Sequence, residues 1–522
     1  MRTALLLPAV TFALGSAAVS LAAVDEPIRL DSGAVSGVAG SDPAVRVFRG
    51  IPYAAAPVGQ LRWRAPQPAA HWDGVRKGEQ FGAMCMQPAF RGAPGPAAVN
   101  SPNMSEDCLF LNIWTAATSA SERRPVMLWI HPGGYQTGSG STPGFNGEKL
   151  AKKGVVLVTI NYRLGVFGFF SHPELTKESE HHASGNYALM DQAAALGWVQ
   201  KNIAAFGGDP QRVTVFGDSA GSSSIANLMG SPRAHGLFQR AIGESGAWMG
   251  LSLAPERTLA EAEQSGEKIA EALHASTLAE LRAKSAEDLL NAGRAGGPVI
   301  DGWFLPEYVG TIFAQGKQND VPLLAGSNKD EGTFFLQPTT AQKFIERSRA
   351  RFGDQADAFL KLYPAGSDDE ANASQLAAFR DELGFVMRVW VRAQTKTGRS
   401  KAFLYYFTHD PPPPAGASVR GGRGSGATHG AEAQYVFENL LPPRAWTDLD
   451  HHVSDMLTSY WVNFAANGDP NGKGLEKWPA FNDSKSDRPM ILGDQAQVGP
   501  APNQAQLAFF EWVYEKERGT EH

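Results

Sequence analysis

Five short runs of the chain are almost wholly apolar: Val126–Ile130, Val155–Ile160, Val213–Phe216, Val321–Ala325 and Ala402–Phe407. A strand with one wet face alternates apolar and polar residues. A near-continuous apolar run instead marks a strand buried on both faces, as in a parallel sheet covered by helices. Between the second and third runs, Leu189, Ala193, Leu196, Val199 and Ile203 recur at steps of three and four, which predicts a helix with one apolar stripe. Strand and helix in alternation predict an α/β fold with a central, mostly parallel, twisted sheet flanked by helices. Segments 255–295 and 340–395 read as helical, the second as helices capping the catalytic edge of the sheet. Pro411–Pro414 and the glycine-rich stretch 415–426 form a long irregular loop, a length that usually carries function.

Length and composition narrow the class. At 522 residues the usual prior is about three domains, but no linker, internal repeat or long charge run divides the chain. Residues 23–522 therefore read as one domain. Apolar residues make up 43% and charged residues 19%, values of a soluble protein with a large core. A net charge of −6 leaves no basic footprint for nucleic acid. The N-terminus has the layout of an export signal: Arg2, an apolar stretch from Ala4 to Leu14, then small residues with Ser20 and Ala22 placed for cleavage after Ala22. Removal of residues 1–22 would leave a secreted or periplasmic protein without a stable membrane anchor. In such a compartment the two cysteines, Cys85 and Cys108, are expected to pair. Asn103, Asn372 and Asn482 begin Asn-x-Ser sequons.

The chemistry begins where the third apolar run ends. Gly217-Asp218-Ser219-Ala220-Gly221 lies between that strand and a helix-compatible stretch, Ser222–Met229. A serine in G-x-S-x-G between strand and helix is a nucleophile elbow, a tight turn that lifts the hydroxyl above the sheet edge. The base and acid of such a site follow the serine in the chain, in the order acid then histidine. That order excludes His71, His131, His172, His181 and His182. His429, at the end of the glycine-rich loop, and His409, beside the preceding strand, stay in contention. Glu331 and Asp330 both stand just past the strand Val321–Ala325, and either carboxylate could orient the imidazole. The histidine base is expected to titrate near the ordinary imidazole value, about 6.5. The run Val126–Ile130 leads into His131-Pro132-Gly133-Gly134, where bare glycine N–H groups, with that of Ala220, can converge on a substrate oxygen. The pairs His181-His182 and His451-His452 lack the Cys or carboxylate spacing of a metal site, so neither metal nor organic cofactor is implied.

Taken together these segments resemble the type-B carboxylesterases, the α/β-hydrolase family that includes the cholinesterases and bacterial carboxylesterases. The resemblance rests on Phe48–Ala54, Arg62–Pro66, Ser105–Asn112, Asn161–Gly165, Gly185–Gln192, Phe206–Pro210, Phe216–Gly221, Lys329–Gly332 and His429–Glu432. It implies a serine esterase working on small-molecule esters through an acyl-enzyme, with helical cap insertions around the site. It also assigns Ser219 as nucleophile, Glu331 as acid, His429 as base and Gly133, Gly134 and Ala220 as oxyanion donors. Cys85 pairs with Cys108 in this pattern, and Glu432 and Ser245 support the triad from behind. Where the family usually has His-Gly-Gly-Gly, Pro132 stands for the first glycine here; it donates no N–H but leaves the two matched donors. The Cys85–Cys108 loop lacks the tryptophan with which cholinesterases hold a quaternary ammonium, so choline esters are not expected. A lipase with interfacial preference and a non-catalytic adhesion protein on the same fold are the alternatives. Arg420 and Arg423, in the loop before His429, could steer substrates that carry free acid groups.

Overall fold

In the structure, a computed structural model, residues 24, 26–88, 103–247, 249, 256–333, 336–414, 426–482 and 488–519 are described. The candidate arginines 420 and 423 and the signal-like segment lie outside them. The principal sheet has eleven strands: β1 (Val38–Ala39), β2 (Arg46–Pro52), β3 (Phe110–Thr115), β4 (Arg124–Ile130), β5 (Val156–Ile160), β6 (Gly208–Asp218), β7 (Arg240–Glu244), β8 (Leu323–Asn328), β9 (Ala402–Phe407), β10 (Met490–Leu492) and β11 (Ala496–Val498). Their spatial order is β11-β10-β9-β8-β7-β6-β4-β5-β3-β2-β1. The strands from β10 to β5 run parallel, while β1–β3 at one edge and β11 at the other are antiparallel. All five apolar runs fall on parallel strands. β7 lies between two of them, and its short sequence, Arg-Ala-Ile-Gly-Glu, carries too little pattern to announce itself.

Successive side chains on these strands enter two separate cores, which is why no polar position was needed. Val126, Leu128, Ile130, Val213, Val215 and Leu323 face one core, and Met127, Trp129, Phe216, Ile242 and Leu324 the other. The first core is closed by α1 (Tyr187–Asn202), α2 (Ala220–Gly230), α3 (Asp368–Thr397) and α6 (Gln504–Gly519). The second is closed by α4 (Ala431–Val436) and α5 (Asp448–Asn467). The predicted stripe from Leu189 lies on α1, whose first turns are buried all round. There Asp191 takes a bidentate contact from buried Arg163, at 2.7 and 2.8 Å.

Segment 255–295 is helical as expected, in three helices: Leu259–Ala272, Leu278–Ala283 and Ala286–Ala292. The breaks are local chemistry. Thr258, Thr277 and Ser285 each cap the helix that follows them, the first two in full capping boxes with Glu261 and Glu280. Segment 340–395 contains two helices and then α3. The second half of α3, through Phe385, Met387 and Trp390, packs on the sheet face rather than capping an edge. Cys85 and Cys108 form a disulfide. Asn372 lies inside α3, where its amide donates to the carbonyls of Thr339 and Asp368. Among the described residues no helix is long and apolar enough to cross a membrane.

Candidate active site

Ser219 sits between the last residue of β6 and the first of α2 with φ 57° and ψ −119°, a conformation that costs a non-glycine residue energy. The surroundings enforce it. The Ser219 N–H donates to Glu244 O at 2.8 Å, and the Ser223 N–H reaches Ser219 O at 2.9 Å. Both flanking glycines press on the carbonyl that ends β4. A Cβ at Gly217 would stand 2.6 Å from Ile130 O, and one at Gly221 2.0 Å. No side chain fits there, so the motif's glycines follow from the closeness of β4 to the elbow. Asp218 and Ala220 are buried while Ser219 is partly exposed.

The same strand contact brings the 131–135 turn beside the serine, since Ile130 and Gly217 are partners in the β4–β6 register. Gly133 has φ 125°, and a Cβ there would lie 1.9 Å from Thr137 O; Gly134 has φ 61° and opens onto free space. The turn is pinned by Gln136 and Thr137, whose N–H groups donate to Gly133 O. Beneath it, His131 stacks on Tyr162 at 4.3 Å and contacts Pro132 O through Nδ1. Burial lowers His131 to about 4, so this ring is a neutral support. Ala220 begins α2, where an N–H has no acceptor within the helix.

The structure separates the competing histidines and acids. His429 Nδ1 lies 2.6 Å from Glu331 Oε2, and Glu331 Oε1 accepts the Asn328 N–H at 3.1 Å. Glu331 is only 1% exposed. A Cβ at Gly430, next to the histidine, would come 2.9 Å from Asp218 Oδ2, so this turn lies against the elbow. Asp330 instead ties down the histidine loop, accepting the Ala427 N–H at 2.9 Å. His409 has both nitrogens engaged, with Asp494 at 2.7 Å and Asp450 at 3.0 Å. Burial opposes the charged ring, but Glu331 and Asp218, with the Glu331 hydrogen bond and Glu432, outweigh it and raise His429 above the ordinary imidazole value.

Behind the triad candidates lies a cluster of buried acids that sequence patterning left largely unseen. Glu432 accepts from Tyr405 Oη at 3.1 Å, from the Asn328 amide, and more weakly from Ser245 Oγ at 3.5 Å. Burial raises Asp218 to about 7 and Glu432 to about 8, and lifts Glu244 well above the carboxylate range. Ser245 and Glu432 are thus in contact. Asp218, Glu244, Tyr405 and Asn328 were not singled out. Their one signal was polarity inside otherwise apolar strand ends.

A nucleophile-elbow serine, a histidine–carboxylate pair and a glycine turn, all above the same parallel sheet, define an α/β-hydrolase. Residues 25–510 match the pattern of the Carboxylesterase family, and the chain belongs to it. Fumonisin B1 esterase of Sphingopyxis macrogoltabida is 38% identical, over 94% of this chain and 91% of its own. Para-nitrobenzyl esterase of Bacillus subtilis (strain 168) is 34% identical, over 88% and 94%. A solved structure of PNB esterase superposes with a TM-score of 0.80 at 33% identity, covering 92% of this chain and 98% of that one. A carboxylesterase from Geobacillus stearothermophilus gives 0.77 at 31%, covering 92% and 99%. The protein is a carboxylic ester hydrolase of small-molecule esters.

Proposed function

We propose that this esterase works through an acyl-enzyme on Ser219, with His429 as base and acid, Glu331 as the orienting carboxylate, and the N–H groups of Gly133, Gly134 and Ala220 as oxyanion donors. The observation that carries the reading is the 2.6 Å contact of Glu331 with His429 Nδ1, on a turn that abuts the residue before Ser219. With Nδ1 engaged, Nε2 takes the proton as Ser219 Oγ attacks the ester carbon. The carbonyl oxygen becomes an oxyanion facing the three N–H groups, each typically worth 10²–10³ in rate. The proton then passes from Nε2 to the leaving alkoxide, which departs as alcohol. Water attacks the acyl-serine with its proton going to Nε2, and the acid leaves as Ser219 regains its proton.

The enzyme is read as one catalytic domain from residue 23, exported after loss of residues 1–22. Because its relatives include a fumonisin B1 esterase and a para-nitrobenzyl esterase, both compounds belong in the substrate panel beside short p-nitrophenyl esters. Dissolved and emulsified esters in the same panel separate esterase from lipase behaviour. Ser219→Ala should abolish p-nitrophenyl acetate hydrolysis with melting temperature unchanged, and a fluorophosphonate should label the natural chain once and this variant not at all. Hydrolysis surviving in the variant, or labelling elsewhere, overturns the assignment.

A further inference from the structure

Glu244 is a carboxylate with no ordinary reason to be where it is. It ends β7, is wholly buried, and pairs in register with Asp218 at the end of β6. Two residues earlier on each strand, Phe216 and Ile242 both enter the second core, so Asp218 and Glu244 leave the same face of the sheet. Neighbouring strands are spaced about 4.8 Å apart, so the two carboxyl groups are close neighbours. Next in the row comes Gly326, partner of Glu244 on β8, where a Cβ would meet the Tyr405 ring at 2.4 Å. The missing side chain lets Tyr405 lean across to Glu432.

The hydrogen bonds around Glu244 are unequal. Its Oε1 accepts the Trp461 Nε1–H at 2.7 Å, while Oε2 is buried without a partner among the described residues. Across the strand boundary, Asp218 Oδ1 is buried and unpartnered in the same way. Two neighbouring carboxyl groups that each hold a buried oxygen without a partner among the described residues are not both satisfied as acceptors only. Buried polar atoms are satisfied in native proteins, and adjacent carboxyls settle by sharing a proton. The other groups facing Glu244 are engaged elsewhere: Glu432 on α4 accepts on both of its oxygens, Tyr405 on β9 donates to Glu432, and Trp461 on α5 already binds Oε1. His429 and Glu331 lie beyond Asp218.

We propose that Glu244 is a positioning residue of this active site, a neutral carboxylic acid whose Oε2–H is donated to the Asp218 carboxylate behind Ser219. This rests on the triad reading above. Held in this way, Asp218 keeps its negative charge in a buried site and supports the His429 imidazolium formed as Ser219 attacks. Without the donor, Asp218 is left buried and unpaired, takes up a proton itself, and the support is lost.

The test compares Glu244→Gln with Glu244→Leu. Glutamine keeps both bonds, its carbonyl accepting from Trp461 and its amide donating to Asp218. Leucine keeps bulk and neither bond. Infrared difference spectra at neutral to mildly alkaline pH should show the carbonyl stretch of a buried carboxylic acid that Glu244→Gln removes. With p-nitrophenyl acetate, Glu244→Leu should lose about tenfold or more in kcat, the loss of a hydrogen bond to a charged group. The acid limb of its pH–rate profile should move to lower pH as His429 loses its neighbour's charge. Glu244→Gln should recover most of the rate and restore the limb, which a mere packing role would not do. Failure of the acid band to appear, or a glutamine variant as slow and as shifted as leucine, overturns the proposal. If leucine does not fold, the infrared band and the glutamine profile still decide it. If Ser219 takes up no fluorophosphonate, the acyl-enzyme reading fails, while the infrared band still reports the Glu244 proton.

Discussion

Replacing Glu331 by glutamine keeps the shape of the side chain and removes its charge. In the folded protein Glu331 is buried and touches His429 Nδ1 at 2.6 Å, with its other oxygen on the Asn328 N–H. The charge centres of such a pair lie about 4 Å apart, and at an effective dielectric of about 20 their attraction is about 4 kcal/mol. That attraction is fully expressed only when the ring is protonated, which in the proposed mechanism is the transition state and the tetrahedral intermediate. At 1.36 kcal/mol per decade, kcat should fall about a thousandfold with little change in KM. An amide N–H turned toward Nδ1 also favours the wrong tautomer and deepens the loss. A second change must accompany the first. Glu331 is the foremost of the influences that hold His429 up against burial, so without it the imidazole becomes more acidic and the acid limb of the profile shifts to lower pH. Steady-state rates on p-nitrophenyl acetate across the pH range, with melting temperature as a fold control, measure both. Retention of kcat within about tenfold would refute the reasoning, as would an equal loss in Asp330→Asn, whose carboxylate holds the Ala427 N–H rather than the ring.

Three further outcomes follow from the same geometry. Gly221→Ala forces a Cβ to 2.0 Å from the Ile130 carbonyl, so denaturant unfolding should show a loss of about 3 kcal/mol or more; an undiminished midpoint would mean that β4 does not confine the elbow. Replacing Cys85 and Cys108 together by alanine opens a loop of 23-residue separation and should cost about 3 kcal/mol in the same assay, with a change below about 0.5 kcal/mol counting against the bond's role. His429, Glu432 and Glu244 all have folded pKa values raised above their ordinary ones, so each holds protons that the unfolded chain releases. Stability should therefore fall as pH rises from about 5 to about 9, the acids acting above their ordinary values and His429 above about 6.5 until each folded value is passed. Calorimetry showing a melting temperature that climbs through that window would reverse the sign.

Local pattern carried much of this protein. Apolar runs of four to six residues marked strands buried on both faces, because a doubly covered strand has no wet position to encode. The turn glycines at 133, 217 and 221 were legible because backbone approach leaves a strong compositional mark. Helix ends inside 255–295 were written in Thr258, Thr277 and Ser285, although composition alone marked the segment only as helical. What needed the tertiary structure was every choice between chemically equal neighbours. Glu331 and Asp330 are adjacent on one loop and differ only in which way the turn aims them. His409 and His429 both follow a late strand, and only the packed fold shows one clasped by Asp450 and Asp494 and the other by Glu331. The buried acids behind the triad were least visible of all. Asp218 and Glu244 stand 26 positions apart and become neighbours solely through the β6–β7 register, which also buries them side by side. Sequence by itself determines which residues can do chemistry. Register, burial and loop direction determine which of them meet, because those depend on contacts made across the whole sheet.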